Sequence, residues 1–72
     1  MEVSYKKLWK LLIDKDMSKA DLRRATGISA FTFARMSRNE DVSVAVLKRI
    51  CEVLDCDIGD VAEFHKIIEP GD

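Results

Sequence analysis

The stretch of sequence that decides the fold is SKADLRRATGISAFTFARMSRN, residues 18–39. Ser18 and Ser29 each precede a run of apolar residues with helical spacing, and a serine oxygen at such a position accepts a hydrogen bond from a free amide of the first turn. The two serines are only 11 residues apart, and Gly27 between them suits the left-handed residue that ends a helix. The sequence therefore predicts helices over about 19–26 and 30–38 joined by the tight turn 27–29, which is a helix-turn-helix.

The same kind of helix start recurs on both sides of this stretch, at Ser4, Ser43 and Asp57. Each of these residues follows an apolar residue and precedes another at the spacing that lets the two touch across the first helical turn. No segment alternates with the period of a strand, so the prediction is an all-α fold, a compact bundle of five short helices. The apolar positions predicted to form its core are Tyr5, Leu8, Trp9, Leu12, Leu22, Ala25, Phe33, Met36, Leu47, Ile50, Cys51, Leu54, Ile58, Val61 and Phe64.

The length and composition bound the organisation of the chain. With 72 residues it forms one domain at most, expected over 1–68 with a frayed tail at 69–72. Hydrophobic residues make up 47% and charged residues 35%, as in folded proteins. No apolar run approaches the roughly 18 residues that cross a bilayer, and the first residues lack a signal-peptide pattern. We therefore expect a cytoplasmic protein.

The charge is unevenly distributed along the chain. Residues 1–50 hold eleven Lys and Arg against six Asp and Glu, whereas residues 51–72 hold one Lys against seven Asp and Glu. Within residues 19–38 there are five basic residues and one acid. A basic body with an acidic end fits a polyanionic partner for the first part only, although two solvated faces would give the same counts.

No residue pattern predicts an enzyme, a metal site, a cofactor or a small-molecule ligand. There is no nucleophile–base pair and no glycine-rich phosphate loop, and His65 is the single histidine. Cys51 and Cys56 have a C-x4-C spacing, but structural zinc needs four ligands. Both cysteines fit apolar positions, so we interpret them as reduced core residues.

Residues 18–39 resemble the helix-turn-helix of the Cro/lambda-repressor type, also called the XRE family. Residues 42–60 are similar to the fourth and fifth helices of small stand-alone members, and the resemblance covers about residues 3–64. It implies a lambda-repressor-like fold and a small prokaryotic transcriptional regulator. Members of this family mostly bind operator DNA as dimers, with the second helix of the motif in the major groove.

Five residues of this second helix and its cap are the candidates for contact with bases: Ser29, Ala30, Phe31, Thr32 and Arg35. Arg35 precedes the inward Met36 and suits a bidentate contact to guanine, the commonest specific contact in the major groove. Phe31 lies on the other side from Phe33 and suits a thymine methyl, but capping of the core or a dimer contact would also explain it. Ser29 and Thr32 suit bases or phosphates, and Ala30 suits a thymine methyl or simply a close approach.

Four residues are the candidates for contact with phosphates: Lys19, Arg38, Asn39 and Ser43. Lys19 begins a helix, where free amides and the dipole favour an anion, and the resemblance implies a backbone contact at this position. Ser43 begins the fourth helix and offers amides in the same way. Arg38 and Asn39 end the recognition helix and are placed to reach the flanking strand.

Two departures from the family pattern leave room for an alternative function. Positions that are often Gln, Asn or Lys in the family are here Ala30, Phe31 and Ala34, and the net charge is −1. The alternative is a protein–protein module of the same fold, an accessory regulator or an antitoxin-like partner. We expect a symmetric homodimer, for which the fifth helix with Phe64, Ile67 and Ile68 is one candidate interface. The alternative is that these isoleucines pack back on the first helix of the same chain.

Overall fold

The computed structural model describes residues 1–67. The elements follow in the order β1 (Glu2–Ser4), α1 (Lys6–Asp14), α2 (Lys19–Thr26), α3 (Ala30–Ser37), α4 (Val44–Leu54), a 3-10 turn (Ile58–Asp60) and β2 (Glu63–His65). The two strands pair antiparallel, with Val3 opposite Phe64. The helix-turn-helix formed by α2 and α3 is confirmed. The tail expected at 69–72 lies outside the described residues.

Three predicted helix caps are confirmed in the structure. The side chains of Ser18, Ser29 and Ser43 each accept a hydrogen bond from the backbone N–H three residues later. Gly27 ends α2 with a φ of 70°, the left-handed conformation that glycine adopts without steric cost. The lengths of the helices and the direction of the turn between α2 and α3 therefore follow from local chemistry.

The cap predicted at Ser4 is wrong. The N-cap of α1 is Tyr5, which has no side-chain capping bond, while Ser4 is the last residue of β1. The Ser4 hydroxyl accepts only a long bond of 3.4 Å from the N–H of Lys6. The ladder with β2 fixes the backbone of Ser4 as a strand, and α1 begins one residue later than the sequence pattern indicates.

The predicted helical fold is confirmed in the main, but the prediction of five helices is wrong, because the described residues form four α-helices and a small two-stranded sheet. Asp57 does cap a turn, and the N–H of Asp57 donates back to the carboxylate of Asp60. The turn stops after three residues. Gly59 lowers helix propensity by about 1 kcal/mol relative to alanine, and the β-branched and aromatic residues that follow favour a strand.

The core lies between the four helices and the sheet. Its buried members are Val3, Tyr5, Leu8, Leu12, Leu22, Ile28, Phe33, Met36, Ile50, Leu54 and Val61, with Trp9, Leu47 and Cys51 among the partly buried residues packed against them. Three predicted core positions are wrong, since Ala25, Ile58 and Phe64 are exposed. In α2 Thr26 is buried beside Leu22 in place of Ala25, and its hydroxyl donates to the carbonyl of Leu22 at 2.8 Å and so remains satisfied.

Cys51 and Cys56 are free thiols, half-buried and packed against the core. Burial, together with the neighbouring Cys51, raises the pKa of Cys56 to about 11, so this thiol is protonated at neutral pH. Within residues 1–67 no group of three or more His, Cys, Asp or Glu is placed to hold a metal ion. None of the helices in this part of the chain is long and apolar enough to cross a membrane.

Candidate nucleic-acid interface

Helix α3 presents two different faces. Phe33 and Met36 point into the core, as predicted. Phe31 is 72% exposed, so it does not cap the core, and Ala30 and Ala34 are exposed beside it. The outward face is therefore apolar at its start, and the small side chains of Ala30 and Ala34 leave room beside Phe31 for a partner to approach closely.

Arg35 is half-buried rather than fully outward as the sequence predicts. With Thr32 it lines a hollow of about 360 Å³ between α3 and the start of α4, whose other walls include Val42, Ser43 and Val46. This hollow brings together the candidate base-contact residues Thr32 and Arg35 and the candidate phosphate-contact residue Ser43. Arg35 thus lies at the junction of the two helices.

The hydroxyls of Ser29 and Thr32 at the start of α3 are hydrogen-bonded to each other. The Ser29 hydroxyl donates to Thr32 Oγ1 at 3.1 Å, and Ser29 Oγ accepts the N–H of Thr32 at 3.2 Å. Ser29 is therefore occupied as a cap, whereas the Thr32 hydroxyl keeps its own proton for another acceptor. Of the two, Thr32 is the better placed to bind a ligand.

At the end of α3 the two candidate residues already have partners within the chain. Arg38 Nε donates to Glu40 Oε2 at 2.7 Å. Asn39 has a φ of 56°, and its side-chain oxygen accepts the N–H of Tyr5 at 3.3 Å. The buried Tyr5 hydroxyl donates to the Glu40 carbonyl at 2.7 Å. Asn39 therefore fixes the turn after α3, and its amide nitrogen remains available as a donor for another contact.

The phenol of Tyr5 stays protonated over the ordinary pH range, so its hydrogen bond to this turn is kept. Burial raises the pKa of the Tyr5 phenol, and the carboxylate of Asp41 raises it further. The phenol is therefore protonated at neutral pH and remains a donor to the Glu40 carbonyl. The turn that leads from α3 to Ser43 is anchored to the start of α1 by two hydrogen bonds.

Lys19 lies apart from these residues, at the start of α2. Its ammonium nitrogen is 4.3 Å from the centre of the Trp9 ring. The same helix start carries a capping box, in which the Asp21 carboxylate accepts the N–H of Ser18 at 3.0 Å. Hydrogen bonds from the backbone and the side chain of Ser18 lower the pKa of Asp21. The Asp21 carboxylate also pairs with Arg24.

Comparison with known proteins identifies the family. A family model described as the Cro/C1-type HTH DNA-binding domain matches residues 7–66. The chain belongs to this family. Among solved structures, the crystal structure of transcriptional regulator VanUg is similar with a TM-score of 0.85 and 60% sequence identity, over 86% of this chain and 83% of that one. A search of curated proteins found no match.

Two acidic residues of this Cro/C1-type domain were missed by the sequence analysis. Glu40 pairs with Arg38, and Asp41 lines the hollow with Arg35 and Ser43. Both follow Asn39 directly, just beyond the basic segment counted from 19 to 38. An acid two residues after Arg38 is a visible signal that this arginine has a partner, and it lowers the positive potential beside α3.

Proposed function

We propose that this Cro/C1-type domain is a transcriptional regulator that binds double-stranded DNA sequence-specifically, with α3 in the major groove. The observation that carries the proposal is the shared hollow of Thr32, Arg35 and Ser43, which combines groups suited to bases and to a phosphate on one surface. The membership of the family and the similarity to a transcriptional regulator support the same function.

In the proposed complex the base contacts come from the first two turns of α3. Arg35 donates to guanine O6 and N7, and Thr32 donates its free hydroxyl proton to a base acceptor. The exposed Phe31 packs on a thymine methyl, and Ala30 permits the close approach. Ser29 contributes mainly by capping α3, so its own contact with DNA is the weakest of the five.

The proposed phosphate contacts surround this surface. Lys19 at the start of α2 and Ser43 at the start of α4 each combine a side-chain donor with a helix N-terminus that favours an anion. The Arg38 guanidinium contacts a phosphate either while it keeps its hydrogen bond to Glu40 or after it breaks that bond. Asn39 donates to a phosphate from its amide nitrogen. These four contacts position the protein without reading sequence.

The Lys19→Ala variant tests the phosphate contacts. It should weaken binding to all DNA sequences to a similar degree, and it should reduce the slope of log affinity against log salt by about one unit. Binding to mixed-sequence duplexes is measured over a salt series. Lys10→Ala is the matched control, because this exposed lysine lies beside Asp14 and Asp60 and should leave the slope unchanged.

The outcome of this salt series also decides between the two function classes. A loss confined to one base pair would show that Lys19 does not contact a phosphate. If the unchanged protein binds no DNA even at low salt, the protein–protein module becomes the better interpretation.

The ion pair of Arg38 with Glu40 predicts a variant that binds DNA more tightly. Glu40→Gln removes the partner that holds Arg38 and removes an acid next to the proposed phosphate path. An exposed ion pair contributes about 0.2–1 kcal/mol, so affinity should rise by up to about fivefold. Glu52→Gln, the same change at an exposed position on α4, is the control. Weaker binding by Glu40→Gln would mean that Glu40 itself orients Arg38 in the complex.

We further propose that the domain acts as a symmetric dimer through a groove of about 280 Å³ on α4 and the 3-10 turn. The α4 residues Val44, Leu47, Lys48 and Cys51 follow one face at helical spacing, and Asp57 and Ile58 complete the groove. The groove carries one base and one acid on apolar walls. In the proposed dimer Lys48 of one copy pairs with Asp57 of the other, and the two-fold axis repeats this pair with the copies exchanged.

The dimer has a direct test by sedimentation, with and without DNA. The unchanged protein should form dimers, and Ile58→Asp should yield monomers, since it places a charge on the apolar wall of the groove. Phe64→Asp introduces the same charge at a residue that is 68% exposed on β2, and it should leave the dimer intact. If Phe64→Asp forms monomers while Ile58→Asp remains a dimer, the interface lies on β2 and not in the groove. If the unchanged protein is a monomer with and without DNA, the proposed dimer is excluded.

A further inference from the structure

Trp9 has a contact that its role in the core does not explain. Its ring lies against the Phe33 ring with 5.7 Å between centroids and an angle of 59°. The Lys19 ammonium lies over the ring, 4.3 Å from its centroid. One half-buried side chain on α1 thus touches both the start of α2 and the inward face of the proposed recognition helix.

The contact with the ring restricts a side chain that is otherwise free to move. An exposed lysine samples many rotamers, and a partner that immobilises it must overcome that entropy. A cation over an indole face is attracted by the negative face of the ring, and tryptophan is the best of the aromatic partners. The ammonium has three N–H groups, and those that do not point at the ring remain free to donate outward.

We propose that Trp9 is a positioning residue for Lys19, which it holds over its ring in a conformation ready to donate to a DNA phosphate. The proposal rests on the phosphate contact proposed above for Lys19, and it assigns that contact a partner within the protein. The hollow beside this pair is lined by Leu12, Ile13 and Met17. These apolar residues offer no other anchor for the ammonium.

Competition between the Trp9 ring and the phosphate for the Lys19 ammonium would have the opposite effect on DNA affinity. If the phosphate and the ring compete for the ammonium, removing the ring releases Lys19 and strengthens binding. If the ring positions the ammonium, removing the ring weakens binding. The sign of the change therefore decides between the two.

The experiment is a double-mutant cycle of Trp9→Leu and Lys19→Ala, with affinity for a mixed-sequence duplex measured at low salt and at a temperature where every variant is folded. Trp9→Leu should weaken binding about two- to fivefold, the affinity equivalent of one exposed cation–π contact. In the Lys19→Ala background the same change should have no effect. A general loss of stability at position 9 would weaken both backgrounds equally, so the coupling isolates the positioning role.

Two further measurements complete the test: the DNA affinity of variants with other aromatic residues at position 9, and the NMR chemical shifts of Lys19. Trp9→Tyr and Trp9→Phe keep an aromatic ring, so affinity should decrease in the order Trp, Tyr, Phe even if Trp9→Leu fails to fold. In the unchanged protein, the NMR signals of the Lys19 methylene protons next to the ammonium should be shifted upfield by the ring current. That shift should disappear in Trp9→Leu or, if that variant is unfolded, diminish in Trp9→Phe.

Several results would overturn the proposal. They are the absence of the upfield shift, equal losses in both backgrounds, or tighter binding by Trp9→Leu. DNA binding that is indifferent to Lys19→Ala would overturn it while leaving the proposed function to the remaining contacts. A complete absence of DNA binding, with the upfield shift present, would instead show that the proposed function has failed.

Discussion

The Phe33→Ala variant is expected to lose about 3–5 kcal/mol of unfolding free energy, the usual cost of truncating a buried phenylalanine. Phe33 is 8% exposed and lies against the Trp9 ring. Domains are stable by about 0.05–0.15 kcal/mol per residue, or roughly 4–11 kcal/mol for a chain of this length. The variant should therefore melt at a much lower temperature than the unchanged protein when followed by circular dichroism, and it should be unfolded throughout if the unchanged protein lies at the lower end of this range.

The matched control makes the same chemical change two residues earlier. Phe31 is 72% exposed, and Phe31→Ala should stay within about 0.5 kcal/mol of the unchanged protein. It should nevertheless weaken binding to DNA sites that carry the contacted thymine. If Phe31→Ala destabilised the fold as much as Phe33→Ala, the orientation assigned to α3 would be wrong.

The Arg35→Ala variant is expected to lose about 1–3 kcal/mol of specific DNA binding, which is on the order of 5- to 150-fold in affinity. Preference should relax at a single base pair of the best site chosen from a random-sequence pool. Because Arg35 is half-buried, its apolar stem contributes to packing, and we expect a loss of stability of up to about 1 kcal/mol. Melting and site selection on the same samples separate the two effects.

Arg35→Lys is the matched control for this variant. It keeps the positive charge and most of the stem but cannot donate bidentately to guanine. Its binding to mixed-sequence DNA should be close to normal, while the preference at the contacted base pair is lost. Unchanged site selection by both variants would show that Arg35 does not read a base.

Local chemistry explains why much of the fold was predictable from the sequence. Ser18, Ser29 and Ser43 cap their helices because a serine oxygen satisfies amides that lie within the same turn. Gly27 ends α2 because it adopts a positive φ freely. Each of these features depends on residues within four positions of one another, so the sequence pattern alone carries it.

Pairing between distant residues explains two of the wrong predictions, the cap at Ser4 and the core position of Phe64. Val3 lies opposite Phe64 in the sheet. The local sequence does not indicate this strand pairing. Because of the pairing, Ser4 lies in a strand and is not a helix cap, and Phe64 lies in β2 and not in the expected fifth helix. Helical spacing of Ile58, Val61 and Phe64 was a real pattern, but tertiary pairing overrode it.

The candidate site was predictable in its residue types but not in their partners. Family resemblance and the cap positions selected Lys19, Arg35, Arg38, Asn39 and Ser43. Sequence could not show that Asn39 accepts the N–H of Tyr5, since that bond joins residues 34 positions apart. The acid that holds Arg38 was nearby in sequence and could have been read from the spacing.

The two-stranded sheet and the Tyr5 bonds also determine how the chain closes on itself during folding. The helix caps depend on contacts within single turns, whereas Tyr5 meets Glu40 across 35 positions and Val3 meets Phe64 across 61. Loop-closure entropy rises only with the logarithm of loop length, so the longer closure costs just about 0.5 kcal/mol more than the shorter. A chain of this topology can form its helices first and join its two ends late, at little extra entropic cost.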